Sequence, residues 1–424
     1  MAVISLPRVL HNRDRQRASA TCIGSLETSA GRIRLTIFRD FESIEKQWQS
    51  LQANGVCVHE HLHALNEAWF RLVSKPGGAE LAIVCGYSES GDVQFIWPFE
   101  VMQKRGLRCL CWIGWEHANY NMGLHTLDFA RTASAEDIRA LLSEAACLIG
   151  GVSAAYLKQQ PYEWDGVKNP MARLPHRPSA NMGHAILLES DFDTLYRNRF
   201  SGKSRNTLGR KERRLREQYT VEMGWAHSTE ERAKLIEEFF RQKSQQFTEQ
   251  GITDTFADPR HRAFYHEMAA LPSGNPGALQ IGYLKADSQI AAISCGIFFK
   301  DRFATLLTSI DDGPVRRHSP GALLLHFQIE DACRRGLNFF DMGVGDSRHK
   351  QEWCDVDTPL FESIISFDER GYLLTLPLTA RLAAKRYIKT RPKLWSLAQT
   401  MRRTLYGQNR KSHTPTETAA DRLS

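Results

Sequence analysis

No run of about 18 apolar residues occurs in this 424-residue chain, so no membrane-spanning helix is expected. Cysteine is sparse and unpatterned. There are nine, an odd number, with no repeated CxxC pairs, which argues against a disulfide framework and for a reducing, cytoplasmic compartment. Zinc-ligand spacing and the aromatic signatures of RNA-binding modules are both missing, so no metal is expected and nucleic acid is not the expected partner. The opening stretch MAVISLPRVLHNRDRQRASATC is too poor in apolar residues for a secretory signal and reads as part of a basic flexible leader, residues 1–30. An excess of charge over the body of the protein is also lacking. Ten Lys and Arg fall between Arg381 and Lys411 with no acidic residue among them, and against a total of +7 this leaves −3 for the rest. The body is not a general polyanion binder.

What is present is an ordinary globular composition, 42% hydrophobic and 24% charged, in a chain long enough for two domains. Residues 31–180 hold apolar runs that read as strands (GRIRLTIF, AELAIVCGY, VQFIWPFEVM, LRCLCWIGW) and helices of amphipathic spacing (FESIEKQWQSL, AEDIRALLSEAACLIG). Cys109 and Cys111 alternate within one such strand and are expected in the core. Pro161–Pro178 reads as a linker or crossover. Residues 181–376 repeat the mixture: the helix DFDTLYRNRF with Asp193 as its cap, three strands from Ala278 to Ile310, a helix SPGALLLHFQIEDACRRG, and strands LNFFDMG and PLFESIISF. Residues 377–424 form a basic tail, partly helical and then disordered.

One segment stands out. The loop DDGPVRRHSPG leads into a helix with Ser319 as expected N-cap, Pro320 at its first turn, and Gly321 permitting close approach. Backbone N–H groups and the helix dipole make this an anion site, with Arg316, Arg317 and His318 adding charge. The next strand ends at Asp341, followed by the glycine-bearing loop MGVGDSRHK.

His318-Ser319-Pro320-Gly321, Gly336, Phe340-Asp341-Met342-Gly343, Gly345 and His349-Lys350, with the helix LGRKERRLRE upstream, resemble the GNAT N-acyltransferase superfamily. More narrowly they resemble the CelD/BcsL group, whose BioF-type acetyltransferase domain is related to the FemAB peptidyltransferases. His349 departs from the group's usual Tyr. Only Gly321 remains of the superfamily's glycine-rich phosphate loop. The resemblance spans roughly residues 35–370. It implies an α/β (α+β) fold of tandem GNAT-like domains, with mixed, mostly antiparallel sheets flanked by helices. It further implies acetyl-CoA or another acyl-CoA as co-substrate, its pyrophosphate held by Arg317, His318, Ser319, Gly321 and Ala322. FemAB relatives instead take aminoacyl groups from tRNA.

Direct acyl transfer needs a base for an amine or hydroxyl nucleophile, an oxyanion donor and a shared cleft. Asp341, His349 and Lys350 are the catalytic candidates, and a strand N–H near Leu307–Ser309 is the expected oxyanion donor. The family's association with exopolysaccharide and cell-envelope synthesis implies an amino sugar or nucleotide sugar as acceptor.

Eight basic residues lie between Arg199 and Arg216. Tyr196, Phe200, Leu208, Leu215 and Tyr219 form one apolar stripe there, with cations on the other faces, and Glu212–Arg216 balances part of the charge. Lys203, Arg210, Lys211 and Arg214 are the expected anion contacts to substrate. Asn119 and Tyr120, in the loop WEHANYNMGLH, are expected to line the acceptor cleft. The triplet His59, His61, His63 reads as the surface at a helix start. The tail, with Trp395, Leu397 and Tyr406 among cations, is expected to meet an anionic membrane surface at the inner face. Two rivals stand beside the acyl-CoA reading: transfer from aminoacyl-tRNA, and a non-enzymatic basic module for nucleic acid or membrane.

Overall fold

The computed structural model describes residues 22–114, 117–251, 253–389 and 391. The leader through residue 21 and the tail positions Trp395, Leu397 and Tyr406 lie outside them. In the first half the elements are β1 (Cys22–Thr28), β2 (Gly31–Phe38), α1 (Glu45–Asn54), α2 (His63–Trp69), β3 (Glu80–Tyr87), β4 (Val93–Lys104), β5 (Leu107–Trp112), β6 (Leu124–His125), α3 (Leu127–Thr132), α4 (Ala135–Ile149), β7 (Val152–Pro161), β8 (Glu163–Trp164) and β9 (Val167–Lys168). In the second they are β10 (Arg177–Leu187), α5 (Phe192–Arg199), α6 (Gly202–Gln218), β11 (Val221–Trp225), α7 (Thr229–Gln250), α8 (Pro259–Ala270), β12 (Gln280–Ala286), β13 (Gln289–Phe299), β14 (Arg302–Ile310), α9 (Pro320–Arg334), β15 (Phe339–Val344), α10 (Arg348–Trp353), β16 (Val356–Ser366) and α11 (Glu369–Lys389).

Each half is built the same way. Three antiparallel strands (β3-β4-β5 and β12-β13-β14) lead through a long helix (α4 and α9) to a strand parallel to the third (β7 and β15). Such a parallel return needs a crossover helix, which α4 and α9 supply. The two sheets join edge to edge in the order β5-β7-β16-β10-β15-β14, so β16 is the seam strand of one 14-stranded mixed sheet.

The apolar spacing read from the sequence lands on the core. Ile33, Leu35 and Ile37 of β2 are buried on one face, and Cys109 and Cys111 are fully buried. The largest core cluster is shared by the halves: Trp48, Trp69 and Phe70 pack with Phe239, Phe240 and Phe264. Lys300 also donates to the Gly55 carbonyl at 2.7 Å, and Arg71 pairs with Glu267 at 2.5 Å.

Three local expectations are corrected. Residues 22–28, assigned to the leader, form a strand registered against β2 from Cys22↔Ile37 to Thr28↔Gly31. Pro161–Pro178 is not a bare linker: it holds the β8–β9 hairpin and the start of β10. Asp191, not Asp193, caps α5, because its carboxylate lies three residues before the Thr194 N–H and accepts from it at 2.9 Å.

Candidate active site

The site is made by two parallel strands that part. β14 and β15 pair only from Arg302↔Phe339 to Ala304↔Asp341. Beyond that point β14 bulges. Cys295 opposes Leu307 while Gly296 opposes Thr305, which leaves Leu306 as the extra residue. A bulge bends its strand and raises its twist, so β14 swings away from β15. The gap is a cleft of about 740 Å³, lined by Thr305, Leu306, Thr308, Ser309 and Ile310 of β14, the start of α9, Met342, Val344 and the loop into α10, with Lys243 and Gln246 of α7 reaching in.

Lys243 donates to the Thr308 carbonyl at 3.0 Å, and Gln246 to the Ile310 carbonyl at 2.6 Å. These residues therefore direct their backbone polar groups away from β13. A strand residue directs its N–H and C=O to the same side, so the Thr308 N–H also turns away from β13. Burial lowers the pKa of Lys243. Arg316, paired with Asp312, adds a second cation to the rim.

The start of α9 differs from the sequence expectation in detail. Ser319 occupies the N-cap position in a left-handed conformation (φ 58°), and its side chain makes no cap bond. Instead the Ser319 hydroxyl accepts from Lys211 Nζ at 2.7 Å. The N–H groups of Ala322 and Leu323 are spent on the Ser319 carbonyl, at 3.0 and 3.2 Å. Pro320 has no N–H. Among the described residues this leaves the Gly321 N–H for a ligand. A Cβ at Gly321 would stand 2.6 Å from Ile310 Cδ1, so any side chain here displaces the Ile310 side chain in the cleft wall.

Of the expected site residues, Asn119, Ser319, Gly321, Ala322, His349 and Lys350 line the cleft together. Others do not. Arg317 turns to α6, donating to Gln218 at 2.6 Å and to His318 at 3.1 Å, and His318 is buried behind it. Burial, then the Arg317 charge, lowers the His318 pKa. Lys203, Arg210 and Arg214 are exposed on α6 away from the cleft lining. Lys211 reaches it only through Ser319.

Asp341 is held by three protein groups. It sits where the strands part, 1% exposed, and its Oδ1 accepts from the Tyr120 hydroxyl at 3.0 Å and the Gly343 N–H at 2.8 Å. Its Oδ2 accepts from Arg302 at 3.2 Å. So enclosed, the carboxylate pins the fork. Tyr120 is likewise core, its hydroxyl passing over Gly183, where a Cβ would lie 2.1 Å away. Asn119 accepts from the Val344 N–H at 3.1 Å and so ties the loop to β15.

His349 lines the rim together with the carboxylates Asp346 and Glu352. Burial, then the neighbouring Lys350 charge, lowers its pKa, which keeps the imidazole neutral and able to accept a proton. Lys350 is buried and donates to the carbonyls of Gly343 and Val344 at 2.9 and 3.1 Å, holding the loop that carries His349. His59 and His61 are buried, not at the surface, and His61 bonds Asn121 at 3.2 Å. Sequence reasoning missed Lys243 and Gln246. Their only signal was an i,i+3 spacing in the polar last turns of a helix whose apolar residues Leu235, Ile236, Phe239 and Phe240 are buried.

Residues 202–351 match the family model for the acetyltransferase (GNAT) domain. The fold is GNAT- and FemAB-like. FemX is similar in structure, with a TM-score of 0.54 at 11% identity over 76% of this chain and 96% of FemX. A conserved protein of unknown function from Bacteroides thetaiotaomicron VPI-5482 scores 0.49 at 11% identity, over 78% of this chain and 99% of that one. A tandem GNAT protein from the clavulanic acid biosynthesis pathway scores 0.45 at 10% identity, over 79% and 99%. No curated protein matches the chain in sequence at a significant level.

The GNAT match covers the half that holds the cleft. In the other half the equivalent place is filled. The segment around Asn121 lies along β7, with its N–H on the Gln159 carbonyl at 2.9 Å, and Trp112 is fully buried. The start of α4 is closed by a capping box, in which Asp137 accepts from the Ser134 N–H at 2.7 Å. Burial would raise the Asp137 pKa, but hydrogen bonds from Ser134 and Ser29 outweigh it and hold it low. An anion at that helix start repels another. No helix among the described residues is long and apolar enough to cross a membrane.

Proposed function

We propose that this protein is an acyl-CoA-dependent N- or O-acyltransferase, with acetyl-CoA as the simplest donor. The observation that carries it is the parting of β14 and β15 at the Leu306 bulge, within the segment that matches the GNAT domain. A strand edge without a partner offers backbone donors to a thioester, and a 740 Å³ cleft takes a ligand of that size. In this reading the Gly321 N–H, Arg316 and Lys243 hold the donor's phosphates. The Thr308 N–H polarises the thioester carbonyl. His349 takes the proton from the nucleophile as the new C–N or C–O bond forms. The C–S bond then breaks, and the thiolate leaves and is protonated. No covalent enzyme intermediate is needed. Cys295, whose pKa burial pushes up, stays a packed thiol. The acceptor expected from the CelD/BcsL resemblance is an amino sugar or nucleotide sugar of polysaccharide or envelope synthesis, handled on the cytoplasmic side.

A second donor is favoured by a separate observation. Arg197, Arg205 and Arg213 line an open basic groove of about 490 Å³ between α5 and α6, away from the cleft. That charge suits the aminoacyl-tRNA which the FemAB resemblance implies.

A thermal-shift titration separates the two. Acetyl-CoA at roughly 100 times its dissociation constant stabilises the native state by about 2.7 kcal/mol. The shift is expected to saturate, to persist with desulfo-CoA, and to vanish in Gly321→Asp. No shift with either CoA compound, with a salt-sensitive shift on bulk tRNA, overturns the acyl-CoA reading in favour of aminoacyl transfer.

A further inference from the structure

α11 packs across β5, β7, β16 and β10, over the seam of the sheet. Its start is held close. A Cβ at Gly371 would stand 1.8 Å from the Ser153 carbonyl oxygen, and the Ser153 hydroxyl donates to Asp368 at 2.9 Å. Thr375 is buried one turn on, and Leu378 packs against Cys109, Cys111 and Tyr156. Gly371, Thr375 and Leu378 follow at intervals of four and three residues, so they mark one face of the helix.

The opposite face is apolar as well. Leu373, Leu376, Ala380, Ala384, Tyr387 and Ile388 are all exposed, Leu373 by 73%. At the helical period they fall in one stripe covering roughly a third of the circumference. Seven large apolar side chains are exposed among the described residues, and five of them, with Tyr372 the fifth, are on this one helix. A soluble helix normally presents a polar face to water, and a contiguous exposed apolar patch marks an interaction surface.

Charge decides what covers it. Residues 369–391 contain Arg370, Arg381, Lys385, Arg386, Lys389 and Arg391 against Glu369 alone. A second copy seated by a two-fold axis on the same stripe would set this cationic segment against itself. A bilayer with anionic headgroups suits both features, since the stripe enters the acyl boundary while the headgroups neutralise the cations. The helix is not apolar enough to cross a membrane, which leaves it lying in the interface.

We propose that α11 is an interfacial helix that seats the protein on an anionic membrane surface through its outer apolar stripe. The membrane contact expected of the basic tail thus begins on the folded body. The proposal stands apart from the acyl-transfer reading.

The test is flotation of the full-length protein with vesicles of phosphatidylcholine alone and of phosphatidylcholine with about one third phosphatidylglycerol. Binding to the anionic vesicles is expected to be at least about tenfold the stronger. Replacing both Leu373→Ser and Leu376→Ser is expected to weaken it by about tenfold or more, with the melting temperature unchanged because both side chains face water. Ile388→Ser serves as a second variant, read in the same way. Binding that is unchanged in the folded leucine variant assigns the attraction to the tail's charge and overturns the proposal. Failure to float with anionic vesicles, or equal flotation with neutral ones, also overturns it. Light scattering of the protein without lipid completes the test: a dimer that the leucine substitutions dissociate makes the stripe a self-interface instead.

Discussion

The Tyr120 hydroxyl donates to Asp341 Oδ1 at 3.0 Å, joining residues 221 positions apart. One comes from the loop of the first half, the other from the point where β14 and β15 part. Arg302 completes the arrangement, with Asp165 as its second carboxylate at 3.3 Å and the Trp164 and Phe339 rings on its faces. The first half is therefore a brace for the cleft of the second.

That brace predicts stability effects before catalytic ones. Tyr120→Phe is expected to cost about 1–3 kcal/mol, because a buried carboxylate loses a donor. Asp341→Ala is expected to cost about 3–5 kcal/mol, because Arg302 is left buried beside a vacated partner. Urea unfolding measures both. An Asp341→Ala protein as stable as the parent would return Asp341 to the reacting groups.

His349 predicts a pH profile. Protonation removes the base, so kcat/KM should fall on the acid side, with its midpoint below the ordinary histidine value of 6.5 because burial and Lys350 lower that pKa. His349→Asn should abolish this limb. Lys350→Gln should move it upward, since the repelling charge is gone. A limb unmoved in both variants would exclude His349 as base.

The Gly321 contact predicts a compensated pair. Gly321→Ala should push Ile310 into the cleft and weaken acyl-CoA binding, because the new Cβ meets Cδ1 at 2.6 Å. Ile310→Val removes that carbon and should restore binding in the double variant. Isothermal titration of the parent, both single variants and the pair gives the coupling.

Glu100 predicts a stability slope. It is buried on β4 and its pKa is pushed up from the ordinary 4.5 to about 7, chiefly by burial, against Ser74 and Lys104. The folded state then holds a proton that the unfolded state has released. Stability from this group is full below about 4.5 and falls as pH rises to about 7, by on the order of 3 kcal/mol. Glu100→Gln should flatten that slope and exceed the parent in stability above pH 7. Melting temperatures from pH 5 to 8 check it.

The strands of the second half were legible because alternation and turn residues mark them locally. Ala278–Ile310 gives three strands with turns where Ala286–Ser288 and Lys300–Arg302 stand. The start of α9 was legible from Ser-Pro-Gly. What chain order conceals is which groups meet. An aspartate at a strand end reads alike whether it faces substrate or, as Asp341 does, a tyrosine 221 residues away. Asn119 and Tyr120 show the same ambiguity. A loop of aromatics and amides suits a binding surface, and equally a buried loop whose amides satisfy backbone, as Asn119 does at Val344. The bulge at Leu306 has no composition signal, because it is set by register against β13.

β16 has a consequence for how the molecule is made. It pairs with β7 on one side and β10 on the other, and its Leu360 lies against Pro161, roughly 200 positions earlier. A ribosome adding about 5–20 residues per second leaves those two edges without their common neighbour for roughly 10–40 s. Through that interval the nascent chain offers open strand edges, the feature that invites pairing with other chains. The seam that makes the finished sheet continuous thus makes the growing polypeptide a client for chaperones until β16 has been synthesised.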